Sequence, residues 1–426
     1  MRRNIYYIVI FLCSISYYSL YGQSIKDEIF ETPEKTGGVY YAYPSGDIII
    51  QTTAPKGYKP FYISHFGRHG SRYLINDSDY KNILNLFEDA FTNNTLTPLG
   101  IDVYNRLKEI WLEADGHGGD LSPLGLRQLR DIAERMYRSY PNVFDDNALM
   151  TARSTTVVRC VLSMDAFCER LKEFNPNLKI NRDSSPKYMR YLNYHTQDAI
   201  KYRSSKDTWR EEYRKFEEAH VNPDRLIGSL FSDKTYIKKK VNPVTTMWEL
   251  FSIASDLQNM ETEISFYDIF EKEELFDLWQ CGNYNLYVNY ANYTPNGGIM
   301  FDNAKPLLRN ILDNANEVIA SKGKGASFRF GHDGNIIPLA MLLHLDGCYE
   351  STSEPSDIYK VWNNFKVAPM AGNIQMIFFK NDKSDEIIVK FLYNEKEIIV
   401  PPVKSDILPY YNWKDLEIYY RSLLNN

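Results

Sequence analysis

An apolar stretch, Phe61-Tyr62-Ile63-Ser64-His65-Phe66, runs into Arg68-His69-Gly70-Ser71-Arg72 and places one imidazole between two guanidinium groups at an expected strand end. An imidazole attacks phosphorus only when it is held neutral and aimed, and when fixed cations first neutralise the phosphoryl group. Arginine suits that task, because its planar fork gives paired hydrogen bonds to phosphate oxygens and keeps its charge. Gly70, which has no Cβ, lets a ligand approach the backbone closely. Far downstream, Gly331-His332-Asp333-Gly334-Asn335 follows the alternating run Ala326-Ser327-Phe328-Arg329-Phe330. It precedes Ile336-Ile337-Pro338-Leu339-Ala340-Met341-Leu342-Leu343, an apolar segment suited to a buried helix. Helix N-termini favour anions. An aspartate placed there can protonate a leaving alkoxide, while the adjacent histidine donates to a phosphoryl oxygen. His69 is thus the candidate nucleophile and Asp333 the candidate general acid. Arg68, Arg72 and His332 are candidate phosphate ligands, and Asn335 is a further candidate substrate contact.

The elements that must position these residues are legible around them. Strands are expected at 59–66, 147–152, 326–331, 373–379 and 386–393, the last two forming a hairpin. Leu96-Thr97-Pro98-Leu99-Gly100 and Leu121-Ser122-Pro123-Leu124-Gly125 each read as a helix start, with a capping hydroxyl and proline in the first turn. After the strand near 147–152, Ser154 or Thr155 is expected to cap a helix. Its apolar face would be Val158, Cys160, Val161, Leu162, Met164, Phe167 and Leu171. Between 186 and 300 the patterns are helical.

Arg68-His69-Gly70-Ser71-Arg72 resembles the Arg-His-Gly-X-Arg signature of the histidine acid phosphatases, branch 2 of the histidine phosphatase superfamily, and His332-Asp333 resembles their His-Asp element. Arg159-Cys160-Val161-Leu162-Ser163-Met164-Asp165-Ala166-Phe167 is similar to the family segment whose leading arginine completes the phosphate pocket. The resemblance therefore implies Arg159 as a third clamp, with Arg153, nearer the strand end, as its competitor. It also implies an α/β fold: a central mixed sheet flanked by helices, split between 23–185 and 301–426, with 186–300 inserted as a mostly α-helical cap. Within the family the chain is similar to multiple inositol polyphosphate phosphatases and phytases. Arg68 to Tyr73 has their Arg-His-Gly-X-Arg-Tyr form, and Phe266-Tyr267-Asp268-Ile269-Phe270 through Leu278-Trp279-Gln280 matches in the cap. Two features depart from that pattern: His332-Asp333 stands where the inositol polyphosphate phosphatases usually carry His-Ala-Glu, and Leu74 stands where proline commonly follows the first motif. The mechanism implied is a phosphohistidine intermediate formed without metal or cofactor, arginines supplying the positive charge. Runner-up readings are a broad acid or sugar-phosphate phosphatase, a phosphoglycerate-mutase-like transferase, and a non-catalytic binder of phosphorylated or glycan ligands.

Composition bounds the setting. Residues 1–22 begin Met1-Arg2-Arg3, continue through an apolar stretch from Ile5 to Tyr21 and read as a cleavable export signal. The flanks of Cys13 make a poor lipidation site, and no later stretch is long and apolar enough to span a membrane. A periplasmic or secreted protein is expected. Four cysteines remain after the signal. Cys160 and Cys168 lie about 12 Å apart along one helix, too far to bridge each other. A Cys281–Cys348 bridge is open in an oxidising compartment, although the sequence does not require it. No Cys/His cluster has metal-ligand spacing, no Gly-rich nucleotide loop is present, and nothing specifies an oligomeric state. Residues 186–240 hold 13 lysines and arginines against 8 acidic residues, in a chain whose formal charge is −6. A basic cap on an acidic body suits a small polyanionic substrate and disfavours nucleic acid. Lys238, Lys239 and Lys240 are the candidate contacts within it. Tyr284, Tyr287, Tyr290 and Tyr293 recur at near-helical spacing, which favours a packed cap core over a sugar-binding cleft.

Overall fold

The computed structural model describes residues 25–44, 46 and 49–425. The expected export signal and Cys13 lie outside the described residues. Eight strands, β1 (Tyr58–Arg68), β2 (Leu149–Ser154), β3 (Lys179–Ser184), β4 (Gly325–Gly331), β5 (Asn373–Asn381), β6 (Ser384–Tyr393), β7 (Lys396–Ile398) and β8 (Tyr410–Asn412), form one mixed sheet. The order is β3-β2-β4-β1-β5-β6-β7, with β8 paired to β6. β3, β2, β4 and β1 run parallel, whereas β5 pairs antiparallel to β1. A parallel sheet needs cover on both faces, and β4 is buried along its whole length. That is why these strands stand out in the sequence as apolar runs.

The longer helices are α1 (Ser78–Thr92), α2 (Pro98–Ala114), α3 (Pro123–Ser139), α4 (Val158–Phe174), α5 (Gln197–Ser204), α6 (Arg210–His220) and α7 (Asp224–Leu230). They continue with α8 (Lys234–Lys240), α9 (Pro243–Leu257), α10 (Lys272–Tyr290), α11 (Lys305–Ala320), α12 (Asp333–Leu342) and α13 (Trp413–Asn425). Helices α3 and α4 cover one sheet face, where Ile63, Phe328 and Phe330 meet Ile132, Phe167 and Leu171. Helices α11, α12 and α13 cover the other, against Tyr62, Phe66 and Phe378. A third apolar cluster joins α1 and α2 to α7, α9 and α10. The helical half of the molecule thus draws on residues 78–114 as well as on the 186–300 segment.

Thr97 and Ser122 cap α2 and α3 as expected, accepting from the Gly100 and Gly125 amides at 3.0 and 3.3 Å. Neither Ser154 nor Thr155 caps α4, which begins at Val158 after Val157 with no side-chain cap. Its buried face is also rotated from expectation: Val158 and Leu162 are 64% and 42% exposed, while Ser163, Ala166 and Cys168 are buried. β3 escapes the sequence pattern because an edge strand buried on neither face is free to be polar, and it reads Lys-Ile-Asn-Arg-Asp-Ser. The tyrosines follow the packing interpretation, with Tyr284, Tyr287 and Tyr293 at most 1% exposed in the core. Cys281 and Cys348 do not bridge. Both are buried free thiols, and they sit in different apolar clusters. Among the described residues, no helix is long and apolar enough to cross a membrane.

His65, on β1, is 1% exposed and stacks on Phe167 with ring centroids 5.2 Å apart. Burial, reinforced by Arg329, lowers its pKa to about 3. The unfolded chain takes up this proton below about pH 6.5 and the native state does not. Stability should therefore fall as pH drops from 6.5 towards 3, by up to about 1.4 kcal/mol per pH unit from this residue alone. Chemical denaturation across that range should show a shallower decline in His65→Phe than in the wild type. Parallel curves would contradict the assignment.

Candidate active site

Strands β1, β2 and β4 run parallel, so their C-terminal ends meet at one edge of the sheet, where α/β proteins build sites. Arg68 closes β1 opposite Gly331 in register, and Ser154 ends β2 opposite Phe330. The two motifs, remote in sequence, are thereby neighbours: the His69 amide donates to the Gly331 carbonyl at 3.0 Å. The loop beyond is tied down residue by residue. Gly70 N–H donates to Ser163 Oγ at 3.1 Å, Ser71 N–H to Gln128 Oε1 at 2.9 Å, and Ser71 Oγ to Asn259 Oδ1 at 2.7 Å. A Cβ on Gly70 would stand 2.4 Å from the Gly125 carbonyl oxygen, and one on Gly125 would stand 2.2 Å from that of Ser71. The two glycines lie back to back. Gly70 is small to admit the first turn of α3, and not to admit a ligand as its motif position suggests.

His69 is 2% exposed, with Nδ1 2.9 Å from the Gly70 carbonyl oxygen. The neutral ring therefore carries its proton on Nδ1 and keeps the Nε2 lone pair free. Burial holds its pKa well below the ordinary histidine value, and Arg68, Arg72 and Arg159 depress it further against the Gly70 hydrogen bond. His332 lies edge-on at 5.6 Å between ring centroids. Its Nε2 is 3.1 Å from Thr155 Oγ1, the contact that takes Thr155 away from capping α4. Burial, then Arg159, lowers the His332 pKa to about 4.

Arg68 is fully buried. Its Nη1 donates to the Val39 and Ala368 carbonyls, the latter at 2.8 Å, and its Nη2 lies 3.2 Å from Asp333 Oδ2. Burial lowers its pKa to about 10 against the pull of Asp333, which leaves it charged at neutral pH. Arg72 donates from Nη1 to the Tyr73 carbonyl at 2.6 Å and from Nη2 to the Tyr40 hydroxyl at 3.1 Å, with its guanidinium 4.7 Å above the Tyr40 ring. Arg159, in the first turn of α4, donates to the Gly119 carbonyl at 3.3 Å. The Nε atoms of all three arginines are buried without a hydrogen-bond partner. Asp333 opens α12 and accepts the Gly334 amide at 2.8 Å. Burial pushes its pKa up, but Arg68, that amide and Arg72 outweigh burial and hold it below the usual carboxylate value.

Three guanidinium groups thus converge on a neutral imidazole with one carboxylate among them. Such a pocket carries excess positive charge and stabilises an incoming dianion. The nucleophile lone pair, the cations and a proton donor suffice for in-line phosphoryl transfer through an enzyme-bound phosphoryl group.

Among the expected contacts, Arg153 turns away: its Nη1 donates to the Ala152 and Asn181 carbonyls, and the guanidinium rests on Tyr188. Asn335 is 4% exposed beside Asp333, and its Oδ1 lacks a hydrogen-bond partner. Lys238, Lys239 and Lys240 form the last turn of α8. Lys240 pairs with Asp89 of α1 at 3.8 Å. None of the three makes a described contact with the cluster. Sequence reasoning missed the strap Val39–Tyr40, which partners both Arg68 and Arg72. Its one signal is Gly37-Gly38: Gly38 has φ +59°, and a Cβ there would stand 2.6 Å from Asn364 Nδ2. It also missed Asp256, which is fully buried behind Arg72 and hydrogen-bonded by Tyr80. Burial raises the Asp256 pKa to about 7, against Tyr80 and Arg72.

The sequence pattern of the histidine phosphatase superfamily, branch 2, matches residues 67–394. The chain belongs to this family. Among curated proteins no sequence matches. Solved structures share the fold. A multiple inositol polyphosphate phosphatase from Bifidobacterium longum, in complex with inositol hexasulfate, superposes with a TM-score of 0.76 at 18% identity, covering 90% of this chain and 97% of that one. A phytase from D. castellii gives 0.59 at 15%, covering 92% and 85%. The strap at Val39–Tyr40 lies outside the matched residues, so the family pattern does not account for it.

Tyr40→Phe keeps the ring under Arg72 and removes the hydroxyl that accepts from it. A hydrogen bond to a charged group contributes about 1.5 kcal/mol. Calorimetric titration with orthophosphate should show binding weakened about tenfold in Tyr40→Phe and further in Tyr40→Leu. Unchanged affinity in both variants would remove the strap from the site.

Proposed function

We propose that this histidine phosphatase is an exported phosphomonoesterase that hydrolyses inositol polyphosphates through a phosphohistidine. The observation that carries the reading is the free Nε2 of a buried, neutral His69 surrounded by Arg68, Arg72 and Arg159. Nε2 attacks phosphorus as the ester P–O bond breaks, and the leaving oxygen takes the proton of Asp333. Water then attacks the phosphoryl group, its proton passing to Asp333, to release orthophosphate and restore His69. The arginines and His332 hold the non-bridging oxygens throughout. The low pKa of Asp333 follows from the Arg68 guanidinium, the Gly334 amide and Arg72, which outweigh burial. A bound phosphate dianion cancels that charge and returns the carboxyl towards its protonated form.

The substrate class draws support from the basic stretch 186–240 and from the fold shared with proteins named for inositol polyphosphates. Export draws support from the character of residues 1–22. A broad acid phosphatase is the second reading, because the His332-Asp333 form of the acid motif resembles that of phytases and general acid phosphatases alike. His69→Ala should abolish hydrolysis of every phosphomonoester while circular dichroism stays unchanged; full activity would refute the scheme. Asp333→Asn should slow inositol hexakisphosphate hydrolysis by about 100-fold or more, and that of p-nitrophenyl phosphate, whose leaving group needs little protonation, far less. Equal losses on both substrates would exclude Asp333 as the acid.

A further inference from the structure

On the ring that packs against Gly334 rests a cation that the scheme above leaves unused. Arg203, in α5, is half-buried with its guanidinium 4.9 Å above the ring of Tyr290, and among the described residues no carboxylate lies within ion-pair distance of it. Glu212, on the next helix, is taken by the hydroxyls of Tyr284 and Tyr293, which donate to it at 3.2 and 2.7 Å. A stacked arginine of this kind gains less from the ring than a good anion partner would contribute.

Tyr290 fixes where that charge sits. It is the last residue of α10, and its Cε1 lies 3.0 Å from the position a Cβ would take on Gly334, so its ring is wedged against the residue that follows Asp333. A side chain at position 334 would press on this ring edge. Tyr290 thus touches both the Arg203 guanidinium and Gly334, the residue after the expected general acid. His195 extends the same wall. Its ring is 6.5 Å from that of Tyr290, its Nδ1 is buried without a partner, and burial, then Arg203, lowers its pKa to about 4. The wall thus presents one permanent cation and one neutral imidazole.

We infer that Arg203, seated on Tyr290, receives a second phosphate on the leaving group, so that this wall selects substrates with a further anionic group next to the scissile one. The inference rests on the phosphatase reading of the His69–Asp333 cluster. The leaving oxygen must lie within reach of Asp333, and a substituent on the neighbouring carbon of a ring is then displaced from it by about the width of Tyr290. An anion there meets the unpaired guanidinium, a neutral hydroxyl gains little, and a flat aromatic leaving group makes no use of it.

Arg203→Met removes the charge while keeping a long side chain over Tyr290. Two ratios are read in wild type and variant at fixed ionic strength. One is kcat/KM for inositol hexakisphosphate over that for p-nitrophenyl phosphate. The other is the inhibition constant of inositol hexasulfate over that of orthophosphate, with p-nitrophenyl phosphate as reporter. The first should fall, and the second rise, at least tenfold in the variant, with partial recovery in Arg203→Lys. Unchanged ratios would overturn the inference, including a uniform loss on both substrates, because a structural role would depress them together. The inhibition ratio needs no turnover of the hexakisphosphate. A wild type that hydrolyses only simple esters would refute the substrate reading and still leave Arg203 tested. A wild type inactive on every ester would refute the phosphatase reading itself.

Discussion

Excess buried positive charge at one edge of the sheet is the constraint on which the rest of this protein turns. Arg68, Arg72 and Arg159 stand around His69, and removing such groups from water costs several kcal/mol each unless they find polar partners. The partners supplied are mostly carbonyl oxygens, those of Val39, Ala368, Tyr73 and Gly119, together with the hydroxyl and ring of Tyr40. Carbonyl dipoles and an aromatic face stabilise a guanidinium without cancelling its charge. Among the described residues Asp333 is the one carboxylate ion-paired with any of the three, so the pocket remains positive for an anionic ligand. Burial and the same field keep His69 neutral, and the field with the Gly334 amide holds the Asp333 pKa low. One cluster of charges thus suits the nucleophile and acid roles proposed for His69 and Asp333.

Holding that cluster requires agreement between distant parts of the chain. Parallel pairing of β1 with β4 brings Arg68 beside Gly331, and the back-to-back contact of Gly70 and Gly125 lets α3 close on the loop. α12 sets Asp333 at its N-terminus, and α4 brings up Arg159 and Ser163. The strap at Val39–Tyr40 closes the far side of both clamps. Each contact is local and modest, yet all converge on the three arginines.

Much of this is legible in the sequence for physical reasons. Strands buried on both faces must be apolar runs, helices that start at Thr97 and Ser122 announce themselves with a hydroxyl, proline and glycine, and arginine flanking histidine has few structural uses. The residues that were not legible depend on contacts across long sequence separations. Nothing in Val39-Tyr40-Tyr41 signals that its carbonyl and hydroxyl serve arginines of a later motif. Thr155 reads as a helix cap because local rules favour one, but His332 claims its hydroxyl. Gly70 reads as a ligand contact because its backbone neighbour, Gly125, belongs to another element. The lysine run 238–240 reads as a substrate contact from charge alone, whereas its place at the end of α8 is set by how Tyr236 and Lys240 meet Asp89.

The claim at the centre of this account is that a buried, neutral imidazole attacks phosphorus before water does. The stereochemical course of hydrolysis of a phosphomonoester made chiral at phosphorus with oxygen isotopes tests it most directly. Two in-line displacements, through His69 and then water, predict net retention of configuration; inversion would mean that water attacks the substrate itself and would contradict the account.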